Sequence, residues 1–339
     1  MKLTTLGFIL FSAAALAQVP KDIVPKLVNI GNGVCVPQTA EVYRPLHGNP
    51  PYPDVDIARD QSFGPDKLDV ADVFSAKKGG GNRTVLLYLP GGAGNKLQGG
   101  PNGDVFYDNI GLWGTKNGMV VVLMQRHTGA NWDDPAKDVA RMVQWIQANI
   151  AKYKGNPDRI FLWSQSAGNI PTGTYVGHSE LWGPKGVGLK GVIFMSAPGF
   201  SLLPATPKPS GPAMPCGTGA APAPPPQPNA AKGGKGGPGK GGPGNGKGPE
   251  QPDQATLLAR SNLPGLIKAK VPYFITVAEL DSPNVLAFAE TLRDELTKGG
   301  HKPDYAVFKD HSHISEVMSP NTPDTSVTGP ILAWIKSVK

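Results

Sequence analysis

Cysteine is scarce in this chain, and a long hydrophobic run is missing. Cys35 and Cys216 are the two cysteines among 339 residues, so they can form at most one internal disulfide, with two separate thiols as the alternative. The apolar stretch at residues 6–16 is much shorter than the roughly 20 residues that a membrane-spanning helix needs. No later segment is apolar enough or long enough either, so we expect no membrane span.

A folded basic surface is also missing, although the formal net charge is +7. Several of the basic residues lie in a glycine-rich tract instead, and they are Lys232, Lys235, Lys240 and Lys247. Nucleic-acid binding needs basic residues clustered on one folded face. We therefore expect no nucleic-acid partner, and at most a weak contact of this tract with an anionic surface or polymer.

The tract at residues 204–254 lacks the apolar residues of a hydrophobic core. It is rich in Pro, Ala, Gly and Lys, and it holds many of the 44 glycines and 36 prolines of the chain. Glycine does not recur at every third position, as a collagen triple helix would require. The composition predicts a disordered or polyproline-like insertion.

The N-terminus has the pattern of a secretory signal. A basic residue precedes the apolar stretch, and Ala15-Leu16-Ala17 matches the small-x-small site that a signal peptidase cleaves. We predict that residues 1–17 are a signal peptide and that residues 18–339 form one domain, which the insertion interrupts. A secreted and a periplasmic location are both open.

Short apolar runs alternate with helical patterns along the rest of the chain. The runs predict buried strands at 84–89, 118–124, 159–163, 191–195, 271–278 and 304–308, with an antiparallel edge near Leu68, Val70 and Val73. Helices are predicted at 135–153, directly after Ser166, and at 255–268, 283–298 and 325–338. Such alternation indicates an α/β fold with a mainly parallel central sheet flanked by helices.

A serine lies at the turn that follows the strand at 159–163. In the sequence Ser-Gln-Ser-Ala-Gly at 164–168, the central Ser166 has a small residue two positions before it and another two positions after it. A strained strand-to-helix turn presents the serine at its tip and leaves no room for larger residues at these positions. Ser164 would instead have Leu162 at the earlier position. We therefore predict that Ser166 is a nucleophile.

Candidate partners for Ser166 follow the last two predicted strands. A polar loop after the last strand contains His311 and His313, and one of these imidazoles can act as the base. Asp281 follows the preceding strand, where a carboxylate could orient the imidazole, and Glu279 is the second candidate. Helix capping is the alternative role for Asp281.

A glycine-rich loop with the sequence Pro-Gly-Gly-Ala-Gly follows the strand at 84–89. Small residues let backbone N–H groups approach a developing oxyanion closely. Gly92 and Ala93 would donate from this loop, and Ala167 would donate from the turn after the nucleophile. The loop lacks both the Gly-Lys-Ser/Thr ending of a P-loop and the dinucleotide fingerprint, which argues against phosphate binding.

Three segments carry a resemblance to a known family. They are Asp-Val-Ala-Arg-Met-Val-Gln-Trp at 138–145, Asn-Pro-Asp-Arg-Ile at 156–160 and the serine pentapeptide at 164–168. From about residue 68 to residue 338, outside the insertion, the chain resembles the α/β-hydrolase superfamily, and more narrowly the carboxylesterases and hormone-sensitive-lipase-like esterases. The order serine, acid, histidine is that of this superfamily. Its catalytic histidine is commonly the second one of a His-x-His-x-Ser segment, which corresponds to His313.

The resemblance implies an α/β-hydrolase fold and an exported serine carboxylic-ester hydrolase that forms an acyl-enzyme with a small-molecule or polymeric ester. The implied catalytic residues are Ser166, Asp281 and His313, and the implied oxyanion hole is Gly92, Ala93 and Ala167. We expect no metal and no cofactor. A serine peptidase or amidase of the same fold and a non-catalytic hydrolase-fold binding protein are the alternatives. The chain departs from the family pattern where Ser164 replaces a glycine and where Pro90 replaces a frequent histidine.

Overall fold

A computed structural model of the chain describes residues 19–92, 105–127, 131–207, 211, 216–217 and 252–339. The predicted signal peptide, Ala93 and most of the low-complexity insertion lie outside these residues. What the sequence indicates for them therefore stays a prediction. None of the helices within the described ranges has the length and hydrophobicity needed to cross a membrane.

One sheet contains the eight strands that the described residues form. The strands are β1 (Val55–Ser62), β2 (Val70–Ala76), β3 (Arg83–Leu89), β4 (Val120–Met124), β5 (Gly155–Gln165), β6 (Gly191–Met195), β7 (Tyr273–Leu280) and β8 (Asp304–Ser312). Their order across the sheet is β1-β2-β4-β3-β5-β6-β7-β8. Strands β3 to β8 pair in parallel, whereas β2 pairs antiparallel with both β1 and β4. The predicted mainly parallel sheet is thus confirmed.

Helices cover both faces of this sheet. They are α1 (Val24–Ile30), α2 (Val36–Tyr43), α3 (Asp108–Lys116), α4 (Asp134–Asn149), α5 (Asn169–Gly177), α6 (Gln254–Ala259), α7 (Leu263–Lys268), α8 (Pro283–Lys298), α9 (Ser315–Met318) and α10 (Thr328–Ser337). Helices α4, α5, α7 and α8 contribute to the hydrophobic core on one face, and α1, α2, α3, α9 and α10 contribute to the core on the other. All five residues of β4 are buried, because a strand covered on both faces has no solvent-facing side.

Two details differ from the sequence-based expectations. The strand predicted as the antiparallel edge is β2, but it lies one position in from the edge, which is formed by β1. The helix predicted at 255–268 is divided into α6 and α7. The second of these helices has Pro264 in its first turn, where the missing N–H of proline costs no intrahelical hydrogen bond.

A disulfide joins the N-terminal segment to the insertion. Cys35 and Cys216 are bonded, with their Cα atoms 5.7 Å apart, so the two cysteines are not separate thiols. Next to this bond, the backbone N–H of Gly217 donates to the carbonyl oxygen of Ile30 at 3.1 Å. Cys35 directly precedes α2, so the disulfide fixes the start of a helix that packs against the sheet.

Candidate active site

Ser166 lies at a sharp turn between β5 and α5. Its φ angle of 50° is in the left-handed region, which is uncommon for residues other than glycine. The backbone is crowded here, since a Cβ atom on Gly168 would lie 2.7 Å from the carbonyl oxygen of Leu89. A Cβ atom on Gly91 would lie 2.8 Å from the Cβ atom of Ser166. This geometry is that of a strained turn that presents a serine side chain at its tip.

Ser164 differs from Ser166 in that its hydroxyl is fully buried and already bonded. The hydroxyl donates to Oδ1 of Asn169 at 2.8 Å, and it lies 3.3 Å from the carbonyl oxygen of Ile193. The amide of Asn169 in turn donates to the carbonyl oxygens of Ser166 and Met195. The serine that replaces the usual glycine therefore braces the turn, and Asn169 is a supporting residue that sequence reasoning missed.

His313 connects Ser166 to Asp281. Its Nε2 atom lies 2.8 Å from the Ser166 hydroxyl, and its Nδ1 atom lies 2.6 Å from Oδ1 of Asp281. Because a carboxylate can only accept, Nδ1 carries the proton and Nε2 accepts from the serine hydroxyl. The structure thus brings together the three residues that the sequence suggested, in the geometry that allows a histidine to act as a base toward serine.

Asp281 is held by more donors than the histidine alone. Its Oδ2 atom accepts from the hydroxyl of Ser196 at 2.5 Å and from the backbone N–H of Ala278 at 2.8 Å. The side chain is almost completely buried, so these donors replace the water that would otherwise solvate the carboxylate. Ser196 directly follows β6, and its position at the carboxyl end of a strand is the signal that could have identified it.

The second candidates for the acid and the base lie elsewhere. Glu279 is exposed, and its carboxylate accepts from the backbone N–H of Asp310 at 2.8 Å. His311 is fully buried, with Nδ1 2.9 Å from the hydroxyl of Ser315 and Nε2 2.6 Å from the hydroxyl of Ser326. Within the described residues neither side chain is bonded to Ser166, and each is bonded to another part of the chain.

The glycine-rich loop lies beside the nucleophile, where an oxyanion hole would be. Gly91 approaches Ser166 as described above, and Gly92 follows it with a φ angle of 56°. The carbonyl oxygen of Gly92 accepts from Nη2 of the buried Arg126 at 3.1 Å, which fixes the orientation of that peptide. Ala167 is half-buried next to Ser166, whereas Ala93 lies outside the described residues. Arg126, at the end of β4, is another residue that sequence reasoning missed.

A group of possible metal ligands lies apart from this site. Asp69, His127 and Asp138 bring one ligand atom each to within 4.8 Å of one another. The guanidinium of Arg141 donates to the carboxylates of both Asp69 and Asp138, and Nδ1 of His127 lies 2.8 Å from Asp138. Burial alone would lower the pKa of His127, but its hydrogen bonds with Asp66 and Asp138 raise it. The donor set therefore fits an ion-pair network, because a cation already compensates the buried carboxylates.

Known proteins resemble this chain over part of its sequence and in its fold. No family model matches the chain. Human cocaine esterase is 33% identical over 109 residues, a stretch that covers 29% of this chain and 18% of that protein. The matched stretch therefore spans less than a fifth of the curated relative.

Solved esterase structures match most of the chain at low identity. A truncated carbohydrate esterase from gut microbiota is 13% identical with a TM-score of 0.56, covering 86% of this chain and 99% of that one. Esterase B from Lactobacillus rhamnosis (HN001) is 12% identical with a TM-score of 0.56, over 89% and 91%. Carboxyl esterase 2 from Tuber melanosporum is 15% identical with a TM-score of 0.56, over 85% and 89%. The chain has the α/β-hydrolase fold, as predicted.

Proposed function

We propose that this protein is an exported serine carboxylic-ester hydrolase in which Ser166, His313 and Asp281 form the catalytic triad. The observation that carries the proposal is the continuous series of hydrogen bonds from the Ser166 hydroxyl through His313 to Asp281, at the strained turn of this fold. The esterase names of the structural neighbours support the ester as the substrate class. The N-terminal signal pattern supports export.

The geometry suits acyl transfer through a covalent intermediate. His313 takes the proton of Ser166 as Oγ attacks the ester carbonyl, and Nε2–H then gives that proton to the leaving alcohol. The carboxylate of Asp281 stabilises the imidazolium, and its other oxygen is held by Ser196 and Ala278. Water then attacks the acyl-enzyme, with His313 as the base once more. The products are the free acid and the alcohol.

The negative charge on the carbonyl oxygen needs backbone donors beside Ser166. The peptide N–H groups of Gly92, Ala93 and Ala167 are the proposed donors, and removing one such donor typically costs about 10²- to 10³-fold in kcat. Arg126 bonds the carbonyl oxygen of Gly92, which shares its peptide group with the N–H of Ala93, so Arg126 would orient that donor. No residue in this scheme needs a metal or an organic cofactor, and the substrate would be a small or a polymeric ester.

The test is hydrolysis of an acyl ester series, from short to long chains, by the protein without residues 1–17. We expect Ser166→Ala to lower kcat/KM by about 10³- to 10⁶-fold. Ser164→Gly is the matched control, because it removes a serine hydroxyl from the same turn but restores the residue usual in the family. It should retain kcat/KM within about tenfold, since the Ser164 hydroxyl takes no part in the proposed proton transfer and Asn169 keeps its bonds to the carbonyl oxygens of Ser166 and Met195.

Either of two outcomes would contradict the proposal and favour another function. Faster Ser166-dependent cleavage of amides than of esters would identify a peptidase or amidase. Equal background rates for the folded wild type and Ser166→Ala, across esters and amides, would identify a non-catalytic binding protein. Covalent labelling of Ser166 by a fluorophosphonate separates these cases further, because it requires an activated serine and no particular substrate.

A further inference from the structure

Glu316 is a buried carboxyl group that the mechanism above does not use. It lies in α9, three residues after His313, and none of its surface is exposed. Neither of its carboxyl oxygens has a hydrogen-bond partner of normal geometry among the described residues. An ionised carboxylate in such surroundings would be very costly, because nothing replaces its lost hydration.

The groups that face Glu316 do not compensate a negative charge. Burial, and then the negative charge of Asp281, raise the pKa of Glu316 well above its usual range, and the side chains of Ser196 and Gln165 offset this only in part. No lysine or arginine within the described ranges contributes to this balance. Complete burial without a hydrogen-bond partner and the raised pKa both favour the protonated form of Glu316.

The two polar side chains that face Glu316 also hold the proposed base and its carboxylate partner. The hydroxyl of Ser196 donates to Asp281, as described above. The side-chain amide of Gln165 donates to the carbonyl oxygen of His313 at 3.0 Å. Glu316 thus lies close to both of the residues that hold the His313–Asp281 pair.

We propose that Glu316 is a positioning residue that keeps its proton, so that its buried carboxyl group packs beside Ser196 and Gln165 without adding a second negative charge next to Asp281. A protonated carboxyl can donate one hydrogen bond and accept others, whereas a carboxylate can only accept. The imidazolium that forms during acyl transfer then faces the charge of Asp281 alone. This inference rests on the proposed ester hydrolysis.

Besides His47 and His311, which bond residues of α9, the titratable groups near Glu316 within the described ranges include two tyrosines. Tyr88 lies on β3, and burial, the neighbouring Tyr107 and Glu316 raise its pKa well above the usual value. Burial also raises the pKa of Tyr107 to about 12. Both phenols therefore lose their protons at a higher pH than an ordinary tyrosine, and the Tyr88→Phe variant separates the contribution of Tyr88 from that of the carboxyl group.

The test compares Glu316→Gln with Glu316→Leu in kcat and KM across the pH range. Glutamine keeps the shape and the neutral charge, so kcat/KM near neutral pH should stay within about threefold of wild type, whereas leucine should lower kcat by about 10- to 100-fold with little change in KM. The alkaline loss of activity should be absent from Glu316→Gln and retained in Tyr88→Phe. Glu41→Gln, at an exposed glutamate, is the control and should match wild type.

Three results would overturn the proposal. The first is a shift of the acidic limb of the Glu316→Gln profile to lower pH, because it would mean that an ionised Glu316 normally stabilises the protonated histidine. The second is full activity of Glu316→Leu with a lowered melting temperature, which would make the role merely structural. The third is a missing band in the infrared difference spectra of wild type against Glu316→Gln at neutral pH. We expect these spectra to show the carbonyl stretch of a protonated carboxylic acid, and its absence would contradict the neutral acid.

The infrared measurement does not depend on ester hydrolysis. If Ser166→Ala and wild type hydrolysed esters equally, the proposed function would fail, while the spectra would still decide whether Glu316 is neutral. If Ser166-dependent hydrolysis were present but the carbonyl band were missing, the proposed function would stand and the role of Glu316 would fall. The two proposals can therefore fail separately.

Discussion

Two histidines that are two residues apart occupy two different polar networks. His313 belongs to the candidate triad with Ser166 and Asp281. His311 belongs to what we call the buried network, which consists of His311, Ser315, Ser326, Asp324 and Tyr43. Both networks combine hydroxyl, imidazole and carboxylate, so residue types alone do not distinguish them.

The two networks differ in the backbone conformation of their serines and in the solvent accessibility of the serine hydroxyls. Ser166 is half-buried at a left-handed turn with small neighbours, and within the described part of the chain its hydroxyl is bonded to His313 alone. The hydroxyl of Ser315 is fully buried, and it also accepts from the backbone N–H of Ser312 at 2.8 Å. The hydroxyl of Ser326 is bonded to Asp324 as well as to His311. A serine becomes a candidate nucleophile when the fold leaves its hydroxyl accessible and otherwise unbonded, and the buried network lacks this property.

Replacing each histidine by alanine is the strongest test of this comparison. His313→Ala should lower kcat/KM by about 10³- to 10⁶-fold, because the proposed base is lost, with a small change in stability. His311→Ala should instead lower the free energy of unfolding by about 2–4 kcal/mol, because it leaves a cavity in the core and removes one hydrogen bond from each of two buried hydroxyls, Ser315 and Ser326. Ester kinetics and urea unfolding measure the two effects. A large loss of stability in His313→Ala with unchanged kinetics would reverse the assignment.

The two carboxylates should separate in the same way, with a smaller effect. Asp281→Asn should lower kcat by about 10²- to 10⁴-fold, because an amide does not stabilise the imidazolium and favours the wrong tautomer. Asp324→Asn should leave kcat within a few-fold and lower the free energy of unfolding by about 1–3 kcal/mol. If both variants lost activity equally, the buried network would have to take part in the chemistry.

Sequence patterns predicted the elements that pack locally and continuously. Residues 191–195 and 283–298 coincide with Gly191–Met195 and Pro283–Lys298. The strand is a run of apolar residues, and the helix has proline at its start and glycine after its end. Helices α1 and α2 were not predicted, because they are short and proline-containing and are stabilised by distant contacts with the sheet.

The candidate site was only partly accessible to sequence reasoning for a similar reason. Ser166 lies in a recognisable turn, but the choice of His313 over His311 depended on a family resemblance. Asn169 and Glu316 lie in helices, and nothing in a helical pattern tells which polar side chain faces inward toward the site. Their roles depend on tertiary packing, which brings helices next to strands distant in sequence.

The disulfide offers a third way to separate the two networks. It fixes the start of α2, and α2 ends at Tyr43, whose hydroxyl donates to Asp324 at 2.9 Å. The double variant Cys35→Ser with Cys216→Ser should therefore lower the free energy of unfolding by about 2–5 kcal/mol. Well below its melting temperature it should keep kcat, because the triad draws its support from β5, β6 and β7. Thermal unfolding with and without reductant measures the first effect, and a large loss of kcat in a folded sample would contradict the separation.

Acid should affect the buried network in a defined direction, with the smallest expected effect. Burial alone would raise the pKa of Asp324, but hydrogen bonds and charge from His311, together with hydrogen bonds from Ser326, lower it below its usual value of 3.8. A carboxyl whose pKa is lower in the folded than in the unfolded protein stabilises the fold above the unfolded pKa. That contribution is lost as the pH falls from about 4 through the lower folded pKa. Urea unfolding of wild type should therefore show a loss of stability in this window that is reduced in Asp324→Asn, since asparagine does not titrate. An equal loss in both proteins would mean that other carboxylates determine the acid stability. The buried network would then differ from the triad only in the solvent accessibility of its serine hydroxyls.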